Sequence, residues 1–243
     1  MARISRIIAV GHPHHLTQRG VRSMAVFQSD ADRLCYLQHV KEETERFGVE
    51  ILSWCLMTNH VHFIAVPREE TSFARGFGEA HRKYTRMKNF ADGVRGYLFQ
   101  GRFSSCVLDE RHLIAAAHYV ETNPVRAGMV KAAWDYPWSS AAYHTGQAET
   151  DILVADRTLL GLVEDWQTFL ADAENRQPEA LRLATRTGRP AGDPSFIASL
   201  EHLTGRTLKP GKRGRPVKSK PENGIVRPEQ IAPRQKKAKG VIP

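Results

Sequence analysis

Val49-Glu50-Ile51-Leu52-Ser53-Trp54-Cys55-Leu56-Met57-Thr58-Asn59-His60-Val61-His62-Phe63-Ile64-Ala65-Val66 is a nearly continuous apolar run interrupted by the polar pair Thr58-Asn59. Each half has the length of a strand, and Gly48 and Pro67 bound the whole. The stretch therefore predicts a β-hairpin, with strands over 49–57 and 60–66 and a turn at 58–59. Two strands joined so closely must pair antiparallel. Upstream, Ser29-Asp30-Ala31-Asp32 predicts a helix start in which Ser29 caps and Asp32 completes a capping box. Leu34, Leu37 and Val40 give that helix an apolar stripe, with Phe47 near its end and Gly48 as its stop. A first strand is expected over 7–19, ending at Gln18-Arg19-Gly20.

Downstream, Thr71 to Lys88 predicts a second helix with Phe73, Phe77 and Tyr84 facing the core. A further strand is expected within 97–108, and a helix capped by Asp109 should run to Thr122 before Pro124 ends it. An aromatic turn at 134–138 leads to a short helix over 139–144. Residues 159–170 predict one amphipathic helix, with two or three short ones following to about 203. Strands and helices intermixed around a hairpin give an α+β sandwich, with helices on one face of a mainly antiparallel sheet. The expected organisation is a catalytic domain over 1–145, a small helical accessory region over 146–203 and a basic, disordered tail over 204–243.

Composition sets outer limits. The chain has 243 residues, of which 41% are hydrophobic and 25% charged, which excludes wholesale disorder. No apolar run approaches the roughly 18 residues of a membrane span, so no membrane association is expected. Three cysteines (Cys35, Cys55 and Cys106) imply neither a disulfide framework nor a zinc ribbon, and the reading is a reduced, cytoplasmic protein. The net charge of +9 resides in the last part of the chain: residues 201–243 hold 12 Lys/Arg and 3 Asp/Glu. Residues 1–200 are balanced, with 23 of each sign. A basic tail on a neutral body points to a polyanionic partner.

Two local patterns carry chemistry. His60-Val61-His62 lies on a predicted strand, where residues i and i+2 share a face about 6–7 Å apart, close enough for two imidazoles to meet one metal ion. The same pair would also fit a half-exposed sheet face making ordinary hydrogen bonds. On the helix after Asp109, a rotation of about 100° per residue groups Tyr119 with Asn123, His112, Ala115 and Ala116, away from Leu113, Ala117 and Val120. Tyr119 is thus expected off the core stripe, with room around its phenol and Asn123 one turn above it. Alternatively, Tyr119 covers a neighbouring element and Asn123 only stops the helix. Taken together the four residues are chemically complete. A tyrosine hydroxyl can be a nucleophile for phosphoryl transfer, and a divalent metal on His60, His62 and a third oxygen ligand would polarise the phosphate. Two neutral imidazoles and an amide oxygen suit Mg²⁺ or Mn²⁺, with histidine favouring Mn²⁺.

Three motifs occur in order: Leu56-Met57-Thr58-Asn59-His60-Val61-His62-Phe63-Ile64, Tyr97-Leu98-Phe99-Gln100-Gly101-Arg102-Phe103, and Tyr119-Val120-Glu121-Thr122-Asn123-Pro124-Val125-Arg126-Ala127-Gly128-Met129-Val130. Over roughly residues 5–145 the chain resembles the single-tyrosine HUH transposases, and within them the REP-associated tyrosine transposases of bacteria. The resemblance implies a ferredoxin-like core, with Tyr119 in the nucleophile's place and Asn123 where a helical Gln or Asn completes the metal site. It also implies cleavage of single-stranded DNA beside hairpin-forming repeats through a 5′-phosphotyrosine intermediate that leaves a free 3′-hydroxyl. Thr58 stands where a proline is more usual, and Met129 where a leucine is; neither bears on the chemistry. The expected partner is single-stranded or hairpin DNA carrying a repeat sequence, and the protein a monomer or a homodimer.

Arg19, Arg22, Arg102 and Arg126 lie in or beside these motifs and are candidate phosphate contacts, as are the basic positions of helix 75–88. Tyr97, Phe99 and Phe103 alternate along a predicted strand and could stack on bases or fill the core. Lys212-Arg213-Gly214-Arg215-Pro216 resembles the core of an AT-hook, whose Arg213 and Arg215 would lie in a minor groove, and Thr187-Gly188-Arg189-Pro190 is a shorter echo. Two other functions compete with the nuclease: a non-catalytic repeat-DNA-binding regulator on the same fold, and a metallohydrolase with a water nucleophile. The second lacks an obvious set of further acidic or histidine ligands.

Overall fold

The computed structural model describes residues 5–155, 158–172 and 178–208, which form one compact unit. Arg213, Arg215 and the expected tail beyond 208 lie outside the described residues. Strand β1 (His14–Arg19) is followed by α1 (Asp30–Arg46), the hairpin β2 (Val49–Leu56) and β3 (His60–Pro67), α2 (Ser72–Ala91) and β4 (Ser104–Val107). The four strands pair antiparallel in the order β2-β3-β1-β4. This is the ferredoxin-like arrangement, with two βαβ halves interleaved so that β1 and β3 are central.

The local signals explain much of this. Ser29 Oγ accepts from Asp32 N–H, and the Asp32 carboxylate accepts from Ser29 N–H, so the capping box fixes the start of α1. Gly48 takes φ 62°, a left-handed geometry that glycine adopts without a Cβ clash, and turns the chain from α1 into β2. In α2, Phe73, Phe77 and Tyr84 are all buried against the sheet and α1. Burying each such ring stabilises the fold by about 1.5–3 kcal/mol.

The sheet is covered on both faces, not one. Val61, Phe63 and Ala65 of β3 point towards α1 and α2, while Ile64, Cys55 and Cys106 point towards a second core. That second core is built by α3 (Glu110–Glu121), α4 (Asn123–Arg126), α5 (Ala141–His144), α6 (Trp166–Ala171) and α7 (Pro178–Thr187). A final helix, α8 (Pro194–Thr204), packs through Leu200 on Ile7, Ala9 and Val107. The sheet's second face carries apolar residues such as Leu52 and Ile64, which a one-sided sandwich would have left in water.

Several boundaries differ from expectation. The first strand begins only at His14, because a turn at Gly11 (φ 75°) precedes Pro13, which has no N–H for the ladder. Leu34 is 54% exposed, and Tyr36 takes the inward position, its hydroxyl bonded to His81 Nε2 of α2 at 2.9 Å. Residues 97–108 form a strand only over Ser104–Val107, since Gly101 (φ 67°) turns the chain before it. Within that segment Phe99 and Phe103 are core residues, whereas Tyr97 is 88% exposed. The helix expected over 159–170 is two pieces, a 3₁₀ turn over Thr158–Gly161 and then α6, whose cap Asp165 accepts from the Gln167 and Thr168 N–H groups. The Gly188-Arg189 echo is a helix terminus: Gly188 closes α7 at φ 74°, and Arg189 donates to Leu208 O.

Candidate active site

Alternation along the central strands gathers polar residues on the face covered by α3 and α7. His60 pairs with Arg19 across β1 and β3, His62 pairs with Thr17, and His15 lies diagonally beside His62. Asp109 caps α3 by accepting from His112 N–H at 2.8 Å, and the helix crosses this face. Tyr119 therefore arrives edge-on to both histidines, its ring centroid 5.5 Å from that of His62 and 6.0 Å from that of His15. Asn123 follows one turn later, at the start of α4. A single chain brings His60, His62, Tyr119 and Asn123 to one cavity of about 720 Å³.

Tyr119 is not in open space as its helical face predicts. It is only 9% exposed, with its ring packed among the second core and its hydroxyl turned to the cavity. Arg126 stacks on that ring, its guanidinium carbon 4.2 Å from the centroid, and donates to Thr122 Oγ1 at 2.7 Å. Arg182 of α7 donates from Nε to Tyr119 Oη at 3.2 Å. Two guanidinium groups thus lie against Tyr119, one over its ring and one at its hydroxyl.

The histidines are held by their Nδ1 sides. Asn59 donates from Nδ2 to Ser23 O at 3.1 Å, so its Oδ1 must accept from His60 Nδ1–H at 2.6 Å, which leaves His60 Nε2 without a proton. His62 Nδ1 meets His15 Nε2 at 2.9 Å, while His62 Nε2 is buried with no partner. Burial, and secondarily the Arg19 charge, pushes the His60 pKa down to about 4. Burial holds His62 well below the usual imidazole range, with the neighbouring His15 and His60 adding to it. Burial brings His15 down to about 3. All three are neutral rings at physiological pH, as metal ligation requires. Among the described residues no cluster of three or more His, Cys, Asp or Glu suits a metal, so the available donors are two imidazoles and the Asn123 amide. The buried His62 Nε2 has no protein partner, which fits a ring nitrogen left for a cation.

Arg19, Arg102, Arg182 and Arg186 line the same cavity, and among the described residues no carboxylate does. Of the arginines singled out from the sequence, Arg19 and Arg102 stand at its wall, and Arg126 lies behind the tyrosine. Arg22 is exposed on the turn after β1, outside the cavity. Arg102 and Gln18 also border a neighbouring groove of about 680 Å³, lined by Arg82, Arg86 and Tyr97 over a floor of His81, Phe99 and Phe103. Sequence reasoning missed His15, Arg182, Thr185 and Arg186. His15 could have been found from strand alternation with Thr17 and Arg19. The α7 residues carry no local signal, because only the fold returns that helix to the sheet.

Residues 12–123 match the family described as Transposase IS200 like. The matched stretch takes in the four-stranded sheet, α3 and the cavity residues His60, His62, Tyr119 and Asn123. The chain is also similar to a Haemophilus influenzae protein assigned as a REP-associated tyrosine transposase, at 24% identity over 111 residues. That match covers 41% of this chain and spans 63% of the relative's length. Among solved structures it is similar to a REP-associated tyrosine transposase bound to a REP hairpin, at 19% identity and a TM-score of 0.49, covering 64% of this chain and 92% of that one. It is also similar to a chain from Deinococcus radiodurans assigned as a transposase, at 15% identity and a TM-score of 0.34, covering 50% and 97%. Among the described residues no helix is long and apolar enough to cross a membrane.

Proposed function

We propose that this protein is a metal-dependent endonuclease and strand transferase that cleaves single-stranded DNA beside hairpin-forming repeats, with Tyr119 as nucleophile. The observation that carries the reading is the shared cavity: it brings together the Tyr119 hydroxyl, the His60 and His62 imidazoles and the Asn123 amide, with four arginines and, among the described residues, no carboxylate in its lining. His60 and His62 through Nε2, and Asn123 through its amide oxygen, would hold Mg²⁺ or Mn²⁺. The bound cation would supply charge to polarise a non-bridging phosphate oxygen.

The chain's own residues account for the rest. Arg182 and Arg126 stabilise the Tyr119 phenolate, whose oxygen attacks the scissile phosphorus. A bond forms between that oxygen and phosphorus as the bond to the 3′-oxygen breaks. The phenolic proton passes to solvent, the 3′-oxygen takes a proton from solvent, and a 5′-phosphotyrosine remains. Attack by another 3′-hydroxyl reverses the step and joins strands. Arg19 and Arg102 are suited to flanking phosphates, and the groove bearing exposed Tyr97 offers a stacking surface for an unpaired base.

The test is incubation with single-stranded hairpin DNA flanked by candidate repeats and Mn²⁺ or Mg²⁺, followed by denaturing electrophoresis. A DNA-linked protein band, lost in Tyr119→Phe and with EDTA, is the expected result. Tight binding of cognate repeats without adduct or nick under either metal would overturn the catalytic reading in favour of a repeat-binding regulator.

A further inference from the structure

The hydrogen bonds behind His62 form a chain whose polarity can be read from its far end. Thr185 of α7 donates its one hydroxyl proton to Leu181 O at 2.9 Å, the bond a threonine makes to the preceding turn of its own helix. Towards His15 Nδ1, 2.8 Å away, Thr185 Oγ1 can then only accept, so the His15 proton sits on Nδ1. The remaining Thr185 lone pair faces Cys106 Sγ at 3.3 Å, a weak donor. A neutral His15 protonated at Nδ1 presents a bare Nε2, which accepts from His62 Nδ1–H at 2.9 Å. His62 Nε2 is therefore left without a proton, and it is the buried, unpartnered atom at the cavity.

We infer that His15 and Thr185 are positioning residues that fix the tautomer of His62 and so present its Nε2 lone pair to a cation. The inference rests on the metal-binding reading above and extends it to residues on β1 and α7. Without the Thr185 acceptor the chain has a competing arrangement, in which His15 protonated at Nε2 donates to His62 Nδ1 and the His62 proton moves to Nε2, blocking the ligand. Partners of this kind set ligand basicity and orientation, and removing one typically costs 10–100-fold in metal affinity.

The experiment uses the full chain and two readouts. Long-range ¹⁵N–¹H correlation spectra of the metal-free protein report which ring nitrogen of each histidine is protonated, and Mn²⁺ titration reports affinity. The wild-type protein should show an unprotonated His62 Nε2. Thr185→Val should transfer a measurable fraction of the proton to that atom and weaken Mn²⁺ by about 10-fold or more. Thr185→Ser, which keeps the hydroxyl, should retain both properties, whereas a purely packing role would make valine the better substitute. A wild-type His62 protonated at Nε2 overturns the inference without recourse to any variant, as does Thr185→Val with unchanged tautomer and affinity. A wild-type protein with the expected tautomers that binds no Mn²⁺ overturns the metal reading instead, and with it the ligand-presenting role.

Discussion

Glu121, two residues after the candidate nucleophile, is fully buried, and one of its oxygens collects three donors. Oε1 accepts from Ser53 Oγ of β2 at 3.0 Å, Ser140 Oγ at 2.6 Å and His144 Nδ1 of α5 at 2.5 Å. The carboxylate thereby ties the tyrosine helix to the sheet and to the segment that follows the aromatic turn. In Glu121→Ala the two hydroxyls can still pair, since Ser140 Oγ already lies 3.2 Å from Ser53 Oγ and 3.4 Å from Trp54 O. His144 loses its counter-charge, and a broken buried pair costs about 3–5 kcal/mol, well above the roughly 1 kcal/mol of a neutral hydrogen bond. For a chain of this size that loss corresponds to a fall of about 6–20 °C in Tm. The pH dependence has a definite sign. Burial alone would lower the His144 pKa, but the charge of Glu121 and its hydrogen bond outweigh burial and hold it above the usual 6.5. The pair's contribution is therefore complete below the unfolded histidine's pKa and declines as pH rises through the raised value. Urea unfolding of wild type and Glu121→Ala across that range should show a gap that narrows with increasing pH. A loss below about 1 kcal/mol, or a gap that does not narrow, would refute the reasoning.

Two further outcomes follow from geometry. In Gly20→Ala, the added Cβ would lie 2.3 Å from the Met24 carbonyl oxygen, so the turn after β1 must shift, at about 1–3 kcal/mol in urea unfolding. Because that turn supplies the Ser23 carbonyl to Asn59, Mn²⁺ affinity should fall with stability. Deleting residues 209–243 removes 11 of the 35 Lys/Arg. DNA affinity should drop and its salt dependence flatten by about 0.7 per lost single-strand phosphate contact, while adduct formation on a short saturating substrate stays unchanged.

The hairpin and its flanks were legible because their signals are local. Ser29 and Asp32 cap α1 through side chains three residues apart, and Gly48 and Pro67 bound the two strands as their backbone chemistry demands. His60 and His62 were legible as a pair because alternation on a strand is fixed at two residues. Leu34 misled because periodicity marks a stripe without saying which neighbour covers it, and Tyr36 instead meets His81 across the helix pair. Tyr119 was located on its helix correctly, but the cover over its ring comes partly from Arg182 of α7, whose place beside the sheet no local pattern encodes. His15, Arg182 and Thr185 act through contacts 47 to 170 residues apart, and such pairings arise only from the assembled fold.

Those long separations have a consequence in time. During synthesis from the N-terminus, His60, His62, Tyr119 and Asn123 all emerge before Arg182 and Thr185 exist. Closing a contact between residues 15 and 185 spans most of the described chain and belongs to the late, non-local events of folding. A nascent chain that already carries all four motif residues still lacks the arginine on its tyrosine and the threonine behind its histidines. The site is completed near the end of assembly, so a half-made chain carries the motif residues without the contacts that hold them in place.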